Sequence, residues 1–173
     1  MDIVHEIDVT NQQHQAITKV RNQAFPEHQV PRSYYKQLPH MRALEYKNGE
    51  LIGYLGLDYR VMKVADTVYT VLGIIDFCVA KPYRSQGVGS AMLAEVAAFA
   101  EKKNVDFITL ISEHHQFYCA RGYQQVSAIN SWLRVDEHTN YGVAVEFLDQ
   151  LYVKPISGRE WECGHVEWLG YMY

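Results

Sequence analysis

Val79-Ala80-Lys81-Pro82-Tyr83-Arg84-Ser85-Gln86-Gly87-Val88-Gly89-Ser90 hands a β-type run to an amphipathic helix through a short loop holding two glycines. Glycine lets a backbone approach a ligand closely, and the amides of a helix's first turn have no partner within the helix. Aided by the helix dipole, such amides form a site for a phosphate or pyrophosphate. Arg84 adds a charge-assisted donor beside them. The spacing excludes two other phosphate-binding patterns. A nucleotide P-loop needs Gly-Lys and then Ser or Thr after four intervening residues, which this loop lacks. A dinucleotide-binding fold needs three glycines and an acidic residue ending a second parallel strand. Here the segments ahead of the loop read as an antiparallel meander. Taken alone, paired glycines at a strand-to-helix turn are as often plain turn chemistry.

Working outward, the meander rests on Asn48-Gly49, the pair favoured in tight hairpin turns because both positions tolerate positive φ. Met41 to Tyr46 and Leu51 to Tyr59 flank it as strands, and Thr67 to Val79 is a third β segment rich in Val, Ile and aromatics. Ahead of them, Ile3 to Val9 alternates as an opening strand, and Thr10 or Asn11 caps a helix running toward Ala24 with Ile17 and Val20 on one face. A short helical segment is predicted over Ser33 to Leu38, between Pro31 and Pro39. After the loop, Gly87 to Lys103 reads as a helix: Val88, Met92, Val96, Phe99 and Ala100 recur at three- and four-residue steps. Val105 to Ile111 is a buried strand, and His114 to Arg121 a short helix stopped by Gly122. Gln124 to Val135 and Val143 to Val153 are two more strands, followed by an aromatic tail, Lys154 to Tyr173.

Ile74 to Val79, followed by Tyr83-Arg84 and the loop, resembles the acyl-CoA signature of the GNAT acyltransferase superfamily, Gln/Arg-x-x-Gly-x-Gly/Ala. A second signature of that superfamily is an aromatic-Tyr pair followed by a Gly-aromatic pair, matched by Phe117-Tyr118 and Gly122-Tyr123. The order of elements agrees too, so the resemblance spans roughly residues 3 to 153. It implies an α/β fold: a mixed, mostly antiparallel sheet with helices on both faces, in a single domain covering residues 1 to 173. It also implies acetyl-CoA as co-substrate. The amides of Gln86, Gly87, Val88 and Gly89 would hold the pyrophosphate, helped by Arg84, Ser85 and Ser90. Phe77, Cys78 and Val79 would offer backbone groups to the pantetheine arm. In the family the thioester sits beside this strand and the next, which puts the edges of Val79 and Ile111 near the acetyl group.

Tyr118 is the leading catalytic candidate. When an amine attacks the thioester the leaving thiolate needs a proton, and a tyrosine with an ordinary pKa of about 10 is protonated at neutral pH. Against that stands simple packing, which most of the 13 tyrosines must serve. For the base that deprotonates the amine, Asp76 is the candidate, because members of the family often carry an acidic residue in this segment. Many place it one or more positions earlier, where this chain has Ile75 and Gly73. Neighbouring side chains on a strand point oppositely, so Glu45 and a water relay stay open. His114-His115 diverge by about 100° on a helix and so do not make a shared metal site; no metal is expected. Cys119 has no partner visible in sequence and reads as a packed thiol.

The chain has 173 residues, 48% hydrophobic and 21% charged, with a formal charge of -4. That balance fits one globular domain and argues against nucleic acid as a partner. The expected acceptor is a small-molecule or peptide amine. Three cysteines without metal-site spacing read as reduced thiols. The first ten residues lack a signal peptide's pattern, and no apolar run nears the roughly 20 residues of a membrane span. The expectation is a cytoplasmic enzyme with no membrane partner, with homodimerisation left open. Two other functions compete: an acyl-CoA-binding module without turnover, and transfer of a longer acyl chain. In the tail, Glu167-Trp168, Gly170 and Tyr173 loosely resemble the C-terminus of aminoglycoside 2′-N-acetyltransferases. On that resemblance the tail would bring Glu160, Glu162, Glu167 or the terminal carboxylate toward a cationic amine; the alternative is a tail packed on the sheet or on a dimer mate.

Overall fold

A computed structural model describes residues 1–173. The chain packs as two compact units, residues 1–58 with 74–96 and residues 59–73 with 97–173. Strands β3 (Glu50–Val64) and β4 (Thr67–Val79) and helix α2 (Val88–Glu101) each begin in one unit and end in the other.

In the first unit, β1 (Asp2–His5) pairs antiparallel with β2 (Met41–Lys47), and β2 with β3. Asn48 and Gly49 have φ of 51° and 79°, so the two-residue turn between Lys47 and Glu50 takes the twist that matches a hairpin. β1 is shorter than the alternation over Ile3 to Val9 predicts, because Glu6–Asp8 turns into a 3-10 helix. Helix α1 (Asn11–Ala24) starts on a full capping box, Thr10 and Gln13 bonding each other's backbone N–H. The predicted helix over Ser33 to Leu38 is absent: that stretch is a series of bends. Its backbone serves instead to satisfy a buried charge, since the Ser33 carbonyl accepts from Arg42 Nη1 at 2.6 Å. Arg42 is wholly buried and also holds the Glu6 carboxylate and the Tyr54 hydroxyl. Ile17 and Val20 of α1, Leu44, Leu51, Tyr54, Cys78 and Ala80 form this unit's core. Each of the large aliphatic side chains stabilises the fold by about 1.5–3 kcal/mol through burial.

In the second unit, β4 runs parallel to β5 (Phe107–Ile111), in register from Val71↔Phe107 to Gly73↔Thr109. The short helix α3 (His115–Cys119) follows, and Gly122 takes a φ of 80° just beyond it. Strands β6 (Gln124–Asp136) and β7 (Thr139–Pro155) make a long antiparallel hairpin, and β7 also pairs with β5. The tail holds a strand absent from the sequence reading, β8 (Val166–Tyr171), parallel to β6 and antiparallel to the end of β3. Trp168 of β8 is wholly buried and donates to Asn130 Oδ1 at 2.9 Å. Trp161 stacks on Tyr69 with ring centroids 5.5 Å apart and meets Phe107 edge-on. Together these strands form a mixed, mostly antiparallel sheet flanked by helices, the α/β class that the sequence implied.

Candidate functional site

The glycine loop belongs to the first unit. β4 ends at Val79, residues Lys81–Tyr83 make one 3-10 turn, and α2 begins at Val88. Ser85 and Gly87 both sit in the left-handed region, with φ of 60° and 84°. Two side chains tie the loop back on itself: Arg84 Nε donates to the Val79 carbonyl at 2.8 Å, and Gln86 Nε2 to the Pro82 carbonyl at 2.7 Å. The backbone of residues 84–87 is therefore held in place yet exposed. A Cβ built on Gly87 meets no atom within 4 Å, so the space beside it is open to a ligand. The Ala91 N–H closes the first helical bond onto the Gly87 carbonyl at 2.9 Å, which leaves the Val88, Gly89 and Ser90 amides as the first turn. This arrangement fits a pyrophosphate: close backbone approach, first-turn amides and a guanidinium on one loop.

Phe77, Cys78 and Val79 form the end of β4 leading into that loop. Cys78 is buried in the first unit's core, and burial, reinforced by the nearby Asp76 charge, pushes its thiol up to about 12. It is a packing group. Asp76 occupies a left-handed position in the strand, with φ of 50°, which asparagine and aspartate tolerate better than most residues. Its carboxylate receives Arg21 Nε at 2.7 Å and Nη2 at 3.4 Å. Arg21 itself is buried within α1, donates to the His28 carbonyl at 2.7 Å and lies over the rings of Phe25 and Tyr35. Arg21 was not singled out in the sequence. A charge placed one helical turn from Ile17, on the same stripe as Val20, is the signal that marks it.

Tyr118 belongs to the second unit, on α3, and is buried among Phe117, Tyr123 and Tyr152. Burial pushes its phenol up to about 12, against smaller opposing effects of a hydrogen bond with Ser112 and the charge of Arg121. The Tyr123 hydroxyl is buried without a hydrogen-bond partner. Ser112 accepts from the His114 N–H at 3.1 Å, as a start to the helix. His115 lies 3.2 Å from the Tyr152 hydroxyl and 3.7 Å from Cys119 Sγ, one helical turn away, so Cys119 has a neighbour that the sequence reading passed over. No group of three or more His, Cys, Asp and Glu side chains is arranged to hold a metal ion. No helix is long and apolar enough to cross a membrane.

Two of the tail's acidic side chains, Glu162 and Glu167, and the backbone of Glu160 are engaged within the second unit. Glu162 accepts from the Thr67 hydroxyl at 2.6 Å and Glu167 pairs with Lys63 at 3.2 Å, while the Glu160 carbonyl accepts from Tyr69. The ring of Tyr173 covers Gly73, leaving no room there for a Cβ, and its hydroxyl bonds Thr109.

Several solved structures share this fold. Escherichia coli ElaA aligns with a TM-score of 0.61 at 17% identity, over 88% of this chain and 97% of its own. The GNAT family N-acetyltransferase YhbS from Escherichia coli, solved in complex with CoA, aligns with a TM-score of 0.61 at 13% identity, over 96% of this chain and 88% of its own. A GCN5-related N-acetyltransferase from Anabaena variabilis aligns with a TM-score of 0.59 at 14% identity, over 74% of this chain; the match spans only 33% of that longer protein. No curated protein sequence matches the chain. The family model of the acetyltransferase (GNAT) family matches residues 10–125, from the cap of α1 past both tyrosine and glycine signatures into β6. With more than half its length matched, and with the loop built as the signature requires, the chain belongs to the GNAT family of acetyltransferases.

Proposed function

We infer that the protein transfers an acetyl group from acetyl-CoA to a primary amine by direct attack, without a covalent enzyme intermediate. The single observation carrying this reading is the loop of residues 84–90, pinned by Arg84 and Gln86 with open space beside Gly87. The pyrophosphate accepts from the amides of Gln86 to Gly89, and the pantetheine arm runs along the backbone of Phe77 to Val79. The amine nitrogen bonds to the thioester carbon, the C–S bond breaks, the sulfur gains a proton and the nitrogen loses one.

Tyr118 serves as the donor to the sulfur. With its phenol pushed up to about 12 it keeps its proton through the neutral range. Complete transfer to an ordinary thiolate, near 8.5, would be uphill by roughly 3.5 pH units or about 5 kcal/mol. Shielding from water narrows that gap by raising the thiol, as it does for Cys78. Asp76 enters the reaction either as the base or as a brace, because both its oxygens already accept from Arg21. In the Asp76→Asn variant, a loss of rate that vanishes as rising pH deprotonates the amine marks a base. A loss unchanged across pH, together with a lower melting temperature, marks a brace.

The test is release of free CoA thiol from acetyl-CoA over a panel of polyamines, aminoglycosides, amino acids and peptides. Amine-dependent release supports transfer. Binding of acetyl-CoA with no release for any amine would favour the binding-module reading. Faster release from a longer acyl-CoA would move the assignment to another acyl group.

A further inference from the structure

β6 and β8 run parallel, but they pair only from Asn130↔Val166 onward. Upstream of that point residues 124–129 of β6 part from residues 161–165, which lead into β8. Between the two segments opens a cavity of about 550 Å³, wholly inside the second unit and within the size range of small-ligand sites. One wall is an open strand edge, because residues 124–129 pair with β7 on their other side and with no strand on this one. In an antiparallel ladder alternate residues turn their N–H and C=O away from the partner strand. Part of this edge's main chain therefore faces the cavity, although the Ala128 carbonyl already accepts from Asn130 Nδ2 at 2.9 Å. The floor is apolar: Val126, Ala128 and Trp161 are partly buried against the second unit's core. Trp161 is held by its stack on Tyr69 and its edge contact with Phe107. Its indole N–H is nevertheless buried with no acceptor in the protein, a costly state that native structures rarely leave without a reason.

We propose that this cavity binds a short extended peptide segment, uncharged or cationic, which adds to the open edge of β6 and offers a carbonyl to the Trp161 indole. The edge selects the chemical class. It presents donors and acceptors in alternation at strand spacing, and a chain of amides complements both. Charge selects among peptides. Glu162 is the one carboxylate lining the cavity and no Lys or Arg lines it, so an acidic segment is opposed. The site stands apart from the glycine loop, which belongs to the first unit.

Titration of acetyl-Ala-Val-Ser-Ala-amide into the isotope-labelled full chain, read by two-dimensional NMR, tests the proposal. This blocked peptide carries no amine to be acetylated, so the result is independent of the proposed reaction. The Trp161 indole resonance, assigned by its loss in Trp161→Phe, should move saturably with a Kd of about 1 mM or tighter, together with amides of residues 124–129. The same peptide with N-methylated amides, or with Asp at two positions, should bind at least about tenfold more weakly. Cys163→Tyr, a change at an exposed position on the cavity wall, should abolish the shift while acetyl-CoA still binds. The proposal is overturned by the absence of a saturable shift up to about 5 mM peptide. Equal binding of either control peptide, or an unchanged shift in the folded variant, would overturn it too. If Cys163→Tyr does not fold, alkylation of Cys163 by iodoacetamide in the wild type decides. Saturating peptide should slow that reaction severalfold, and an unchanged rate refutes the site.

Discussion

At the scale of single residues, the proposed chemistry turns on groups whose surroundings fix their proton state. Tyr118 is held protonated by burial, with its phenol up to about 12. Because the raised group stays protonated below that value, losing its proton cannot limit the reaction until the solution approaches about pH 11. The pH profile of kcat/KM should therefore climb as the amine loses its proton and then stay level to at least about pH 10. A decline below pH 9 caused by removing Tyr118's own proton, identified by its disappearance in Tyr118→Phe, would contradict the assignment. In Tyr118→Phe, kcat should fall roughly ten- to ten-thousandfold, with acetyl-CoA affinity retained. Equal rates for variant and wild type, measured where chemistry limits turnover, would remove Tyr118 from the mechanism.

At the scale of elements, the Arg21–Asp76 pair fixes α1 against the end of β4 and holds Asp76 in its left-handed turn. Replacing Arg21 by Met leaves a carboxylate that is only 15% exposed without its partner, at a cost of about 3 kcal/mol. For a chain of this size that corresponds to a melting temperature lower by about 6–12 °C. A shift under 2 °C would show the pair to be incidental. The same pair marks where the sequence became hard to read. The hairpin at Asn48-Gly49, α1 behind Thr10 and the loop before α2 were legible because each depends on neighbours a few residues apart. Arg21 and Asp76 are 55 positions apart. Each alone looks like an odd charge on an apolar face, and only the fold joins them. The segment between Pro31 and Pro39 departs from its predicted helix for a related reason. Two prolines bracket a helix plausibly, but here the backbone turns to meet the buried guanidinium of Arg42. β8 went unseen because Gly170, and Leu169 at φ of 52°, interrupt the alternation by which a strand is recognised.

At the scale of the whole molecule, the tail belongs to the core of the second unit, through Val166, Trp168, Trp161 and Tyr173. Trp168→Ala should therefore destabilise the protein by about 3–5 kcal/mol in denaturant unfolding. The loss combines a large cavity with the loss of the indole donor to the buried Asn130 Oδ1. A change under 1 kcal/mol would mean the tail is dispensable to the fold. Removing the tail entirely is consequently a poor probe of amine recognition, since it removes core along with any acceptor contacts. The central claim, that the loop before α2 holds the pyrophosphate of acetyl-CoA, is tested most directly by isothermal titration of acetyl-CoA into the wild type and Gly87→Val. A Cβ added at Gly87 meets no protein atom within 4 Å, so a valine there points into the space proposed for the ligand, on a backbone with φ of 84°. The account predicts one acetyl-CoA bound per wild-type chain and an affinity at least about tenfold weaker, some 1.4 kcal/mol, in a Gly87→Val variant that still folds. A wild type that does not bind acetyl-CoA, or a folded variant that binds it equally well, would contradict the account.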